Sequence, residues 1–184
     1  MKTVLTVNGG SSSLKCALFS QQKDGLKCRF IFKLSNILGD ARCKISDADG
    51  QLVEKAPLDL STTFRDNRHQ AALQFVLSWI ETHVSKSELI AFGHRVVHGG
   101  EQFSNPVRVN SQLLMALEQY VPLAPLHQPY NLKLIRACQI LEPSLPQIAC
   151  FDTMFHVGQP KIERSYALPR RFTDDGVHRY GFHG

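Results

Sequence analysis

Five short stretches of this 184-residue sequence carry residue types suited to chemistry on an anion. Asn8-Gly9-Gly10-Ser11-Ser12-Ser13-Leu14-Lys15 joins two apolar runs. Its glycines permit positive φ and close backbone approach, so N–H groups can point at an oxyanion, and three hydroxyls and a lysine add donors. A Walker loop would place Gly-Lys-Ser/Thr at the opening of a helix, and that pattern is absent. The stretch reads as a phosphate-gripping β-hairpin or as a plain Gly/Ser turn.

Arg95 sits in Gly93-His94-Arg95-Val96-Val97-His98-Gly99-Gly100. A guanidinium at a strand end suits bidentate capture of a carboxylate or phosphate, and equally suits a surface ion pair. His94 and His98 are four apart, but metal binding at that spacing needs a helix, which the Val-Val-His-Gly-Gly context disfavours. His127 lies among prolines in Ala124-Pro125-Leu126-His127-Gln128-Pro129, where a stiff backbone fixes its imidazole or sets it as a helix cap. Asp152 ends an apolar run and suits orienting a substrate, holding magnesium through water, or capping a turn. His183 is the penultimate residue, and its setting is unreadable from the sequence.

The elements that must position these residues follow from periodicity. Thr3–Val7, Leu14–Phe19, Lys27–Leu34, Ala41–Ile45 and Leu52–Glu54 read as strands, with a hairpin turn at Asp47–Gly50. Ala72, Leu73, Val76, Leu77, Ile80 and Val84 share one face of a helix capped at Asp66 or Asn67. Leu89–Phe92 is a further strand. Helices are expected over Gln112–Tyr120, with Asn110 or Ser111 as cap, and over Asn131–Leu141. Gln147–Phe151 is the last strand. The order predicts an open mixed sheet with flanking helices, in which ligands sit at the carboxyl ends of strands. Residues 8–13, 95–100 and 152–156 all fall there.

Composition bounds the function. Apolar residues are 43% and charged residues 20%, as in a soluble globular domain. No apolar run approaches the ~20 residues of a membrane span, and the start does not read as a signal peptide, which predicts a cytoplasmic protein with no membrane partner. Five cysteines without a CxxC pair read as buried apolar residues or thiols. The net charge of +5 is scattered, with no basic run longer than Arg170-Arg171, which argues against a nucleic-acid partner.

The five motifs, Asn8–Lys15, Gly93–Gly100, Ala124–Pro129, Phe151–His156 and Arg179–Gly184, occur in the order and approximate spacing of acetate kinases, so the chain resembles the N-terminal part of that family. The resemblance implies a ribonuclease H-like α/β fold of the actin/Hsp70/sugar kinase superfamily. Residues 1–150 would form the N-terminal domain and 151–184 the truncated start of a second, nucleotide-binding domain. It implies reversible phosphoryl transfer from ATP to acetate with Mg2+, giving acetyl phosphate and ADP, in a homodimer when full length. By motif position, Asn8 lies near the metal, and Ser11, Ser13 and Lys15 near the transferred phosphoryl group. Arg95 holds the substrate carboxylate, and Asp152 is the active-site carboxylate. His127 and His183 contact the phosphoryl group, while Val97, Leu126 and Phe182 line the acyl pocket. Gln128 and Tyr130 replace the family's usual Asn and its small residue or proline, which leaves acyl size open between acetate, propionate and butyrate. The nucleotide pocket is expected in a missing half. The alternative is therefore a non-catalytic anion-binding domain, with negligible kinase activity expected from these residues alone.

Overall fold

A computed structural model describes residues 1–84 and 88–182. Strands β1 (Thr3–Gly10), β2 (Ser13–Gln22), β3 (Gly25–Ser35), β4 (Arg42–Asp47) and β5 (Leu52–Pro57) form an antiparallel meander. Strand β6 (Leu89–Val96) then lies parallel to β1, and β8 (Gln147–Phe151) parallel to β6, with the short β7 (Val107–Arg108) antiparallel at the edge. The sheet order is β5-β4-β3-β2-β1-β6-β8-β7. Helices α1 (Arg68–His83) and α3 (Gln128–Leu141) pack against each other and against its central strands. Helix α2 (Ser111–Glu118) packs on α3.

One face of the sheet is buried by these helices. Alternate residues of β1 and β2, among them Leu5, Val7, Leu14, Cys16 and Leu18, meet Leu73, Val76 and Ile80 of α1 in the main core. Period-2 alternation sends the intervening residues to the opposite face, where Lys15, Lys33 and Arg95 are exposed. A smaller core joins Val96 and Phe151 to Leu113, Leu117 and Leu132. Burial pushes the Cys138 thiol up and keeps it protonated in the main core.

Several boundaries differ from the sequence reading. Strand β6 continues through Gly93 to Val96, so Arg95 lies within the strand rather than after it. Parallel partners on both sides, β1 and β8, hold the polar Gly-His-Arg segment extended. Helix α3 starts at Gln128, three residues earlier than expected, because Pro129 falls in the first turn, where its missing N–H costs nothing. Asn110 caps α2 by accepting from Leu113 N at 2.8 Å, whereas Asn67 occupies the cap position of α1 without a side-chain capping bond.

Gly9 and Gly10 do not use positive φ; both continue β1 in register, opposite Leu14 and Ser13. Their use is proximity. A Cβ on Gly9 would stand 2.1 Å from Leu134 Cδ1 of α3. The same holds after β6, where a Cβ on Gly99 would meet the Phe151 ring at 2.6 Å and one on Gly100 (φ +63°) the Tyr120 ring at 2.2 Å.

The opening turns of α3 fasten the strand ends. The pairing of β1 with β6 ends at Val7 and His94. Beyond it, the buried Asn131 side chain bridges the two strands, donating through Nδ2 to Gly9 O at 3.0 Å and accepting from Val97 N at 3.0 Å. One turn earlier Gln128, fully buried, accepts from His98 N at 3.1 Å and donates to His98 O at 2.9 Å. Two side chains at i and i+3 thus stand in for ladder bonds that the diverging strands cannot make.

His94 points into the buried layer at 2% exposure. With its nitrogen facing the ring, the Gln147 amide donates to His94 Nε2 at 2.7 Å and to Ile135 O at 3.2 Å, while its oxygen accepts from Gln139 N at 3.2 Å. Burial pushes the His94 pKa down to about 4, and the amide N–H held on the Nε2 lone pair favours the same neutral ring.

Asn131→Ala is expected to destabilise the fold by about 2–4 kcal/mol in urea unfolding, because it strands a buried carbonyl and a part-buried N–H at once. The exposed Asn105→Ala serves as the control, at about zero. His94 also predicts a pH slope. Its folded pKa is below the ordinary value near 6.5, so the unfolded chain takes up the proton first, and stability falls as pH drops through that interval. Between pH 7 and pH 5 this contribution amounts to about 2 kcal/mol. His94→Asn should flatten the slope of unfolding free energy against pH by that amount.

Candidate active site

The carboxyl ends of β1, β6 and β8 meet on the uncovered face of the sheet. Asn8 belongs to β1, Arg95 to β6, and Asp152 directly follows β8. Arg95 grips Asp152 through two nitrogens: Nε lies 2.9 Å from Oδ1 and 3.1 Å from Oδ2, and Nη2 lies 2.6 Å from Oδ2. Its third nitrogen, Nη1, donates to Asn8 Oδ1 at 3.3 Å. Three strand ends separated widely in sequence are thereby tied by one guanidinium. The Asp152 contact raises the Arg95 pKa further, so the group is a permanent cation. The Asp152 side chain is 11% exposed and that of Arg95 41%, so the pair lies at a surface opening rather than in the core.

Beside the pair opens a cleft of about 470 Å³, lined by Arg95, Val97, Leu123, Ala124, Pro125, Leu126, His127 and Phe182. Its wall is apolar apart from Arg95 and His127. Leu123 and Leu126 project from the proline-rich segment and are 53% and 73% exposed. His127 is exposed at the position preceding α3, where its side chain makes no capping bond. The pocket thus sets one guanidinium at the edge of largely apolar walls.

Ser11 and Ser12 form the two-residue turn between β1 and β2, with Gly10 opposite Ser13 and Asn8 opposite Lys15. Ser13 and Lys15 therefore share the open face with Asn8 and Arg95, one strand away, although neither lines the cleft. Behind this hairpin, the buried His69 of α1 lies 2.9 Å from Gly10 O through Nε2. Burial lowers its pKa, which favours the neutral ring donating to that carbonyl. The structure thus brings Asn8, Arg95 and Asp152 into contact, sets Val97, Leu126, His127 and Phe182 around one cleft with Arg95, and places Ser11, Ser13 and Lys15 on the neighbouring hairpin. His183 lies outside the described residues.

Two further residues near the site, Thr153 and His98, act on the backbone of the glycine turn. Thr153 accepts from Gly99 N at 3.0 Å through Oγ1, locking the glycine turn to the segment that bears Asp152. The buried His98 accepts from Gly100 N at 2.9 Å through Nδ1 and stacks on Tyr120, with Tyr180 and Phe182 edge-on at 4.5 and 5.5 Å. His94 and His98 therefore serve separate packing environments. Among the described residues, no group of three or more His, Cys, Asp or Glu is placed to hold a metal ion. Gln128 and Tyr130 do not line the cleft: Gln128 is spent on the His98 backbone, and Tyr130 packs beside the His69 ring, 5.4 Å between centroids.

Known proteins resemble this chain along its whole length. Residues 3–184 match the acetokinase family. The acetate kinase of Rhodopseudomonas palustris (strain ATCC BAA-98 / CGA009) is 40% identical over 183 residues, 98% of this chain and 45% of that protein. That of Rhizobium meliloti is 43% identical over 190 residues, 100% of this chain and 46% of that protein. Among solved structures, a propionate kinase from Francisella tularensis subsp. tularensis SCHU S4 superposes with a TM-score of 0.87 at 30% identity. Porphyromonas gingivalis acetate kinase does so with 0.85 at 34%. Each match covers 100% of this chain and 46% of the other. The chain spans about half the length of the curated relatives it matches. A mixed sheet of the actin/Hsp70/sugar kinase type, with its polar cluster at the ends of the parallel strands, and a family match across nearly every residue lead to one assignment: this chain belongs to the acetokinase family.

Proposed function

We propose that this chain supplies the acyl-binding half of an acetate kinase, an enzyme that moves the γ-phosphoryl group of ATP reversibly to acetate. The observation that carries the reading is the Arg95 guanidinium, bonded to both Asp152 and Asn8 at the edge of an aliphatic cleft. In this reading residues 1–150 are the N-terminal domain and 151–184 begin a second, nucleotide-binding domain. The working protein is a cytoplasmic homodimer, without nucleic-acid or membrane partners.

The chemistry asks little of a base. A short-chain carboxylic acid, with a pKa near that of Asp or Glu at about 4, is ionised at pH 7, so its oxygen is already the nucleophile. A carboxylate oxygen bonds to the γ-phosphorus as the bond to the β-bridging oxygen breaks, giving acyl phosphate and ADP. The barrier is largely the repulsion of two anions and the charge that develops on three equatorial oxygens. Arg95 holds and neutralises the acyl carboxylate. Ser11, Ser13 and Lys15 on the hairpin receive phosphoryl oxygens, with His127 and His183 at the same group. Asp152 orients Arg95 rather than taking a proton. Asn8 and Asp152 offer hard oxygen donors, one amide and one carboxylate, which fit Mg2+, an ion that keeps several waters and borrows substrate phosphates. When bound, Mg2+ supplies charge neutralisation at the phosphates.

The cleft volume supports a second substrate. At about 470 Å³ it exceeds what a two-carbon acid fills, and Leu123, Leu126 and Phe182 are among its apolar walls. Propionate is accommodated by the same walls, since one methylene in an apolar pocket is worth only about 1–3 kcal/mol.

The test joins this chain to the remaining C-terminal part of the Rhodopseudomonas palustris acetate kinase and measures acetyl hydroxamate formed from acetate, ATP and Mg2+. Activity is expected in the fusion and not in the 184-residue chain. In the fusion, Arg95→Ala should lower turnover roughly 10²–10³-fold and weaken carboxylate binding while leaving ATP affinity nearly intact. An inactive but folded fusion, or an Arg95→Ala loss that falls equally on ATP, would sink the reading.

A further inference from the structure

The register of the sheet assembles a feature that no linear motif contains. Lys15 of β2 stands opposite Lys33 of β3, Lys33 opposite Lys44 of β4, and Lys44 opposite Lys55 of β5. All four are exposed and share the face left uncovered by the helices. At the ordinary interstrand spacing, the row runs roughly 14 Å straight across the strands. It continues at Asn8, the β1 partner of Lys15, and so ends at the Arg95 cluster.

Among the described residues no carboxylate pairs with it. Strands β1 to β5 contain two acidic residues, Asp47 and Glu54, and both face away from the row. Asp47 lies opposite Phe30 and accepts from Asp49 N and Gln51 N in its turn, while Glu54 accepts from Trp79 Nε1 at 2.7 Å on the helix side. Among the described residues, none of the four lysines is in an ion pair. Like charges directly opposite one another destabilise a sheet. Directly paired residues on adjacent strands are about 5 Å apart at the backbone, within the Debye length of about 8 Å at physiological salt, so the row acts as one block of charge.

We infer that this lysine row is a binding strip for a linear chain of condensed phosphates. Lysine is a point-charge phosphate binder that needs no fixed geometry, and a single file of such charges matches a flexible polyanion. A folded protein partner is disfavoured because interfaces are depleted in lysine and need buried anchors. The flanking row here, Thr6, Ala17, Ile31, Ser46 and the exposed Leu52, carries two large aliphatic side chains but no aromatic or arginine anchor. Single-stranded nucleic acid would need aromatic platforms for its bases, and the two rows contain no aromatic residue. The inference concerns binding alone and stands whether or not the kinase reading holds.

The experiment titrates the 184-residue chain with long-chain inorganic polyphosphate, and separately with tripolyphosphate and with poly-glutamate, by calorimetry at low and physiological salt. The variant Lys33→Gln/Lys44→Gln/Lys55→Gln removes the row while sparing Lys15. Lys2→Gln/Lys23→Gln/Lys161→Gln carries the same net charge and is the control. Polyphosphate affinity should fall roughly tenfold or more in the first variant and remain in the control, with a shallower salt dependence. Replacement of the same three residues by arginine should retain binding. The glutamine variant should also melt no lower than the parent, since it relieves repulsion. Equal loss in both glutamine variants would reduce the effect to net charge, and tighter binding of poly-glutamate would assign the strip to acidic polypeptide; either result overturns the inference.

Discussion

Two parallel strands must part before a ligand can lie between their ends, and the backbone groups exposed by that parting must still be satisfied. Here β1 and β6 separate after Val7 and His94, and the Asn131 amide spans the opening. Everything at the site depends on that bridge. It sets the distance across which Arg95 reaches Asn8, and it anchors Val97, a wall of the cleft, to the same helix turn. The cost of leaving either backbone group unpaired inside the fold is what keeps the gap at one width. Gln128 and Thr153 repeat the device on His98 and Gly99, so the backbone from Val97 to Gly99 is held by side chains rather than by a neighbouring strand.

Charge follows the same logic. Beside the cleft stands one carboxylate, Asp152, and it is held in the Arg95 fork. A lone exposed Arg–Asp pair is worth little in stability. A pair planted on the ends of two strands, one partner also bonded to a third, instead gives a cation fixed in direction.

How much of this was legible in the sequence depends on the range of the interaction concerned. Apolar alternation located the main strands, and the 3.6-residue period located α1, because both report burial of a face. Asp152 and Arg95 could be named as strand-end residues, but their mutual contact rests on the parallel order β1-β6-β8, which no local pattern encodes. Pro129 misled in the opposite direction: read as a breaker, it in fact opens α3. Gly9 and Gly10 were read as permitting positive φ and close approach, and only the approach is used, by Leu134 at Gly9 and by Ser13 at Gly10. The basic residues looked scattered because the sheet, not the chain, brings Lys15, Lys33, Lys44 and Lys55 into line.

The same distinction between chain and space bears on acyl selectivity. Gln128 and Tyr130 adjoin Leu126 and His127 in sequence, and their unusual identity suggested an altered pocket. In space they point elsewhere, one into the buried bridge to His98 and the other toward His69. An extra methylene at Gln128 is therefore absorbed by the backbone clamp and reaches the cleft only through the position of His98. That ring packs against Phe182, which does line the cleft. Of the cleft walls, Phe182 is packed against the buried His98, whereas Leu123 and Leu126 are exposed.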